Sequence, residues 1–187
     1  TAGVVSKVTQ TLPVKAKTFT TRRLTVASAF VDPPASEQPR IAAEATELGR
    51  LWAASPPERL WSAPFVRPVP HEANSAFGSR SVFNGQARSP HGGADFMSPA
   101  GTPVVAPNAG RVVLARDLYF TGGTVVVDHG QGLVSLFAHL QAIDVAVGQS
   151  VAPGDVLGRV GKTGRVTGPH LHWAVLAGGA RVDPLSL

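Results

Sequence analysis

The chain has 187 residues, enough for one well-buried domain with a smaller appendage, and no cysteine, which excludes a disulfide framework and any thiolate metal site. Its 43% hydrophobic and 16% charged residues exclude a disordered chain. The net charge of +5 sits mostly in the first half, with ten Lys/Arg against six Asp/Glu up to residue 84 and seven against six after it. No basic stripe or interleaved aromatics accompany it, so no nucleic-acid partner is expected, although diffuse positive charge suits a polyanionic cell-wall surface.

Residues 1–35 hold alternating β-type positions, among them Val8, Gln10, Leu12, Val14 and Ala16. They read as a β segment that either packs on the later strands or ends an accessory β domain begun upstream; the start at Thr1 rather than Met reads as processed or truncated. SEQPRIAAEATELGRLWAAS reads as a helix, with Pro39 in its first turn and Ile41, Ala45, Leu48 and Trp52 on one core-facing stripe. The Pro-rich SPPERLWSAPFVRPVP predicts an extended linker, so that residues 36–75 are helix and linker. Eighteen of the twenty glycines come after residue 75. There the chain breaks into short strands divided by turn residues: TPVVAP, GRVVLA, GGTVVVDHG, GLVSLFAHL, VLGRVG and HLHWAVL. With no helical period between them, residues 76–187 read as a mainly β domain, an antiparallel sheet or sandwich. No apolar run reaches 18 residues, so no stable membrane insertion is expected.

The chemistry concentrates in two stretches of this second part. In TGPHLHW, strand alternation places His170 and His172 on one face and Leu171 and Trp173 on the other, a two-imidazole platform suited to metal binding or proton transfer. In SPHGGADFMSP, a Gly-Gly pair lets His91 and Asp95 fold onto one ion. One platform histidine added to these gives two His and one Asp, the open ligand set of a catalytic zinc, though a non-haem iron triad uses the same residues. His139 closes GLVSLFAHL on the side of Phe137 and Ser135 and is a candidate non-ligand imidazole for proton handling or oxyanion stabilisation. His71 and His129 read as structural. RVGKTG mimics a phosphate loop, but the required first Gly is Val156 and no helix comes after it. VAVGQSVAPGDVLGRVG mimics a biotinyl or lipoyl hairpin without its lysine turn.

FGSR, Asn84-Gly85, HGGAD, GTPVVAPNAGRVV, VVDHG, FAHL, VGQSVAPGDVLGRVGKTGRVTGPHLHW and VDP occur in this order from Phe77 to Leu187. Together they resemble the lysostaphin/LytM-type zinc metallopeptidases of cell-wall peptidoglycan, with HxGxD, AHL and HLHW the specific motifs. The resemblance implies a β-sheet groove flanked by loops, Zn2+ held by His91, Asp95 and His172, and His139 and His170 as catalytic histidines. In that reading His170 takes the proton of a metal-activated water and His139 stabilises the tetrahedral intermediate, with the two roles exchangeable. It also implies peptidoglycan peptides as partner, a monomer, and a cell-envelope location, periplasmic or secreted. Asn84 and Arg80 border the family's groove and are candidate substrate-binding residues. The alternative is a non-catalytic or autoinhibited module that binds wall or activates another hydrolase.

Overall fold

The structure, a computed structural model, describes residues 9–11, 13, 16–62, 64–75 and 77–187. Val8, Leu12 and Val14 of the early alternation lie outside those residues. Further along that segment, β1 (Thr21–Leu24) is succeeded after two short 3-10 turns by helix α1 (Gln38–Ala53). Then come β2 (Ala73–Ser75), β3 (Arg80–Phe83), β4 (Gln86–Arg88), β5 (Ala94–Phe96), β6 (Pro103–Val105) and β7 (Gly110–Leu118). The chain ends through β8 (Gly122–Asp128), β9 (Leu133–Ile143), β10 (Ser150–Val151), β11 (Val156–Val160), β12 (Leu171–Ala177) and β13 (Ala180–Val182). The protein is mainly β, as its strand spacing predicts.

The large sheet runs β10-β7-β8-β9-β12-β5-β2, with β13 paired to β12 and β11 joining β9 to β6. Every pairing in it is antiparallel. Hairpins suffice to link such strands, and no crossover helix is needed. Strand β8, and β9 as far as Leu140, are buried on both faces, so they read as mostly apolar runs rather than alternating ones. One face carries Phe96, Val125, Phe137, Leu157, Leu171 and Trp173, closed over by β6 and β11. The other carries Leu114, Val126, Leu136, Ala138 and Ala174, and Leu48, Leu51 and Trp52 of α1 pack against it. A second, three-stranded sheet, β1-β3-β4, stands beside this body, and there β1 runs parallel to β3.

The helix is rotated slightly from the stripe its sequence predicts. Ala45 is exposed and Glu44 is buried instead. The Glu44 carboxylate accepts from Arg40 Nε and from the backbone N–H of Tyr119, both at 2.8 Å, so the acid ties α1 to the turn between β7 and β8. A buried carboxylate is tolerable when it is ion-paired and hydrogen-bonded in this way. In the Pro-rich stretch after α1, Val69 is buried, and Trp61 and Phe65 pack against the core.

Candidate metal and catalytic site

His172 lies opposite Asp95 in the antiparallel β12–β5 pair, so both side chains leave the sheet on one face while Leu171, Trp173 and Phe96 enter the core on the other. Two residues along β12 on that same face is Ala174, which faces α1. Helix and site therefore share one side of the sheet end to end. His91 arrives from the preceding loop, where it exchanges backbone hydrogen bonds with Gly78 and Ser79, each 2.8 Å. Gly93 lets that loop close: a Cβ there would lie 2.3 Å from the Trp173 carbonyl oxygen and 2.9 Å from His172 Cε1.

Three donor atoms meet as a result. His91 Nε2 and His172 Nδ1 approach Asp95 Oδ1 at 2.9 and 2.8 Å and lie 3.1 Å from each other. A triangle of one carboxylate oxygen and two ring nitrogens is poorly served by protons alone: if both nitrogens donate to Asp95 Oδ1 they face each other as two N–H groups across 3.1 Å. It suits a cation: donors bound tetrahedrally at about 2.0–2.1 Å lie roughly 3.3 Å apart. The residues present thus fit a zinc ion, and they are the one group of three or more candidate donors among the described residues. Burial pushes the Asp95 carboxyl upward, but hydrogen bonds from His172 and His91 and their charge outweigh it and leave the group well below the usual carboxylate range. Burial lowers His172.

His139 reaches this face by a local break in its strand. β9 does not end there but continues to Ile143, and its register slips against β8 between Phe137 and Leu140 and against β11 between Leu140 and Ala142. His139 itself has φ 67°, a left-handed backbone rare for a side chain of this size. That bulge overturns the side expected from alternation: Phe137 stacks on Trp173 in the core, whereas the His139 ring lies 4.7 Å from that of His170 and 6.1 Å from that of His172. His139 Nδ1 donates to the Thr163 carbonyl and His170 Nδ1 to that of Gly168, each 2.9 Å, which leaves Nε2 of each neutral ring as an acceptor. His170 Nε2 is 4.0 Å from Asp95 Oδ1. Burial, then the charges of His170 and His172, push His139 down to about 3.

The five residues line one groove of about 580 Å3. The other candidates lie outside its lining. Asn84 spends its amide on both backbone groups of Val26, accepting from N at 3.0 Å and donating to O at 2.9 Å, and Arg80 is exposed. His129 is buried among Ala109, Ser135 and the Phe65 ring, and His71 bonds Ser98. Sequence reading missed the groove's other features. Arg22 of β1 enters it, and its Nη1 donates to Asp95 Oδ2 at 3.2 Å. Thr163, in the rejected phosphate-loop mimic, bonds Leu140 O and Gly123 N through its hydroxyl and so holds the 161–169 loop in place under His139. Arg165, Phe83 and Phe120 form one end of the groove.

The model of peptidase family M23 matches residues 89–184. The peptidoglycan DD-endopeptidase ShyA of Vibrio cholerae is 43% identical over 96 residues, which are 51% of this chain and 22% of that protein, so the match spans about a fifth of the relative. A zinc containing peptidase from Vibrio cholerae superposes with a TM-score of 0.60 at 33% identity, over 68% of this chain and 40% of that one. The catalytic domain of lysostaphin from Staphylococcus simulans superposes with a TM-score of 0.55 at 28% identity, over 62% of this chain and 90% of that domain.

Proposed function

Because the chain belongs to peptidase family M23, we propose that it is a zinc-dependent endopeptidase hydrolysing peptide bonds in bacterial peptidoglycan, and that it works in the cell envelope. The observation that carries this reading is the convergence of His91, Asp95 and His172 on one point beside two further imidazoles in an open groove. His91, Asp95 and His172 would hold the ion. When bound, zinc polarises a carbonyl and brings the pKa of water toward about 7.

The chain's own residues supply the rest. His170 accepts the water proton at Nε2, its ring oriented by the Nδ1–H bond to Gly168, and then returns that proton to the leaving amine. His139, neutral at rest because burial and the neighbouring imidazoles push it down to about 3, stabilises the tetrahedral oxygen by taking that same water-derived proton at Nε2 from His170, whose ring lies 4.7 Å away, and it hands the proton back before the amine leaves. It therefore favours the transition state over the resting complex. Purified protein with zinc should release, from defined cross-linked wall peptides, fragments carrying one new amine and one new carboxylate, and chelation should stop it. Intact peptides under both conditions would reject the proposal.

One observation favours a latent form of this enzyme. Strand β1 pairs along β3, its Arg22 and Leu24 line the groove, Asn84 grips Val26, and Arg22 bonds Asp95. A substrate peptide would have to displace this strand. No helix among the described residues is long and apolar enough to cross a membrane.

A further inference from the structure

Arg165 stands where the 161–169 loop meets the groove. Its backbone N–H donates to the Phe120 carbonyl at 2.8 Å, and its guanidinium lies over two rings, 4.7 Å from the Phe120 centroid and 5.2 Å from that of Phe83. Aromatic faces hold a guanidinium through its own faces and do not use its in-plane N–H groups. Among the described residues those donors have no hydrogen-bond acceptor and no carboxylate partner, although the side chain is half-buried. The other arginines near it differ. Arg22 is paired with Asp95, and Arg88 donates to the Val31 carbonyl and the Gln86 amide oxygen.

The charge around the groove points the same way. Among the described residues Asp95 is the only acid lining it, and that carboxylate already receives His91, His172 and Arg22. Burial and the charge of Arg88 both work against the charged form of Arg165. A held, partly desolvated guanidinium with unused fork donors, in a groove whose described acid is already engaged, is arranged for an incoming carboxylate, which it can grip with two parallel bonds.

We infer that Arg165 is a specificity-determining residue that binds a free carboxylate of the substrate peptide. The groove then selects stem-peptide cross-links, which carry free carboxylates near the scissile bond, over neutral glycine-rich bridges. This rests on the peptidase reading above for the identity of the ligand, while the recognition itself does not depend on turnover.

The test uses the full chain and two synthetic cross-linked stem peptides identical except that the side-chain carboxylates of one are carboxamides. Binding is measured calorimetrically with the metal removed, so that the carboxylate has no ion to seek, and KM and kcat are measured with zinc restored. The acid peptide should bind roughly 10- to 100-fold more tightly than the amide, the range for one charge-assisted pair. Arg165→Gln should erase that preference through KM, weakening the acid peptide far more than the amide, and Arg165→Lys should keep part of it. Equal binding of the two peptides by the parent, no binding of either, or an equal loss on both in Arg165→Gln overturns the assignment. Arg165-dependent binding preference without cleavage would instead sustain the carboxylate site and reject the peptidase reading. Cleavage of both peptides without preference would do the reverse.

Discussion

Replacing Gly93 with alanine puts a methyl carbon 2.3 Å from the Trp173 carbonyl oxygen and 2.9 Å from His172 Cε1. Comfortable carbon contacts begin near about 3.5 Å, so the excess is on the order of 1 Å. The obstructing oxygen belongs to the backbone of β12, which cannot swing aside as a flexible side chain would, and Trp173 is paired there with Ala94. Relief must come from moving β5 away from β12. That movement also separates Asp95 from His172, its partner in the next register position. Overpacking of this kind costs about 1–3 kcal/mol. For a chain of this length each kcal/mol lowers Tm by about 2–4 °C, giving a fall of about 2–12 °C. Thermal unfolding of metal-free protein reads the first effect, and zinc competition with a chromophoric chelator reads the second. Gly49→Ala is the control: nothing lies within 4 Å of a Cβ there, and within α1 it should stabilise by about 0.5–1 kcal/mol. Unchanged Tm and unchanged zinc affinity in Gly93→Ala would refute the idea that this glycine closes the ligand triangle.

Three further outcomes are expected. Arg22→Ala removes the Arg22 guanidinium from Asp95 and should raise turnover several-fold with zinc content unchanged; equal or lower kcat/KM would show that β1 does not hold the site back. His129 is buried and lowered by that burial, so it stays neutral in the fold while the unfolded chain takes up its proton below about pH 6.5. Its contribution is therefore fully present above that pH and is lost as pH falls, so the urea midpoint of His129→Gln should change less between pH 7 and 5 than that of the parent. Thr163→Val keeps the shape but loses hydroxyl bonds to Leu140 and Gly123, and it should cost about 1–3 kcal/mol while lowering turnover more than zinc affinity, because the loop orients His139 and carries no donor of the triangle.

The parts of this protein legible in its sequence are those written in periodicity and turn chemistry. Short strands between Gly and Pro punctuation, the Leu48 and Trp52 part of the apolar stripe on α1, and two histidines on one face of HLHW survive in the structure because each depends on neighbours a few residues away, whereas Ala45 of the predicted stripe is exposed. Strand alternation puts His139 on the side of Phe137 because it has no sign for a bulge; only the meeting of β8, β9 and β11 forces the left-handed backbone. Glu44 reads as a solvated residue between apolar positions, and its burial depends on Tyr119, 75 residues away. Arg22, Thr163 and Arg165 carry no local mark of the groove either. Each is defined by a partner across the fold: Asp95 for the first, Leu140 for the second, and Phe83 with Phe120 for the third. Asn84 does stand out locally as the first residue of an Asn-Gly turn, but its amide serves Val26.

In the proposed mechanism His172 holds zinc while His170, its same-face neighbour, handles the proton. The direct measurement is zinc per chain beside turnover on cross-linked wall peptides for His172→Ala and His170→Ala, each shown to be folded. His172→Ala should lose metal and activity together, since one of three converging donors is gone. His170→Ala should keep its zinc and fall by roughly 10²- to 10⁴-fold in turnover, as for a lost general base. An empty site in His170→Ala with a full one in His172→Ala, or full activity in both, would contradict this division of labour.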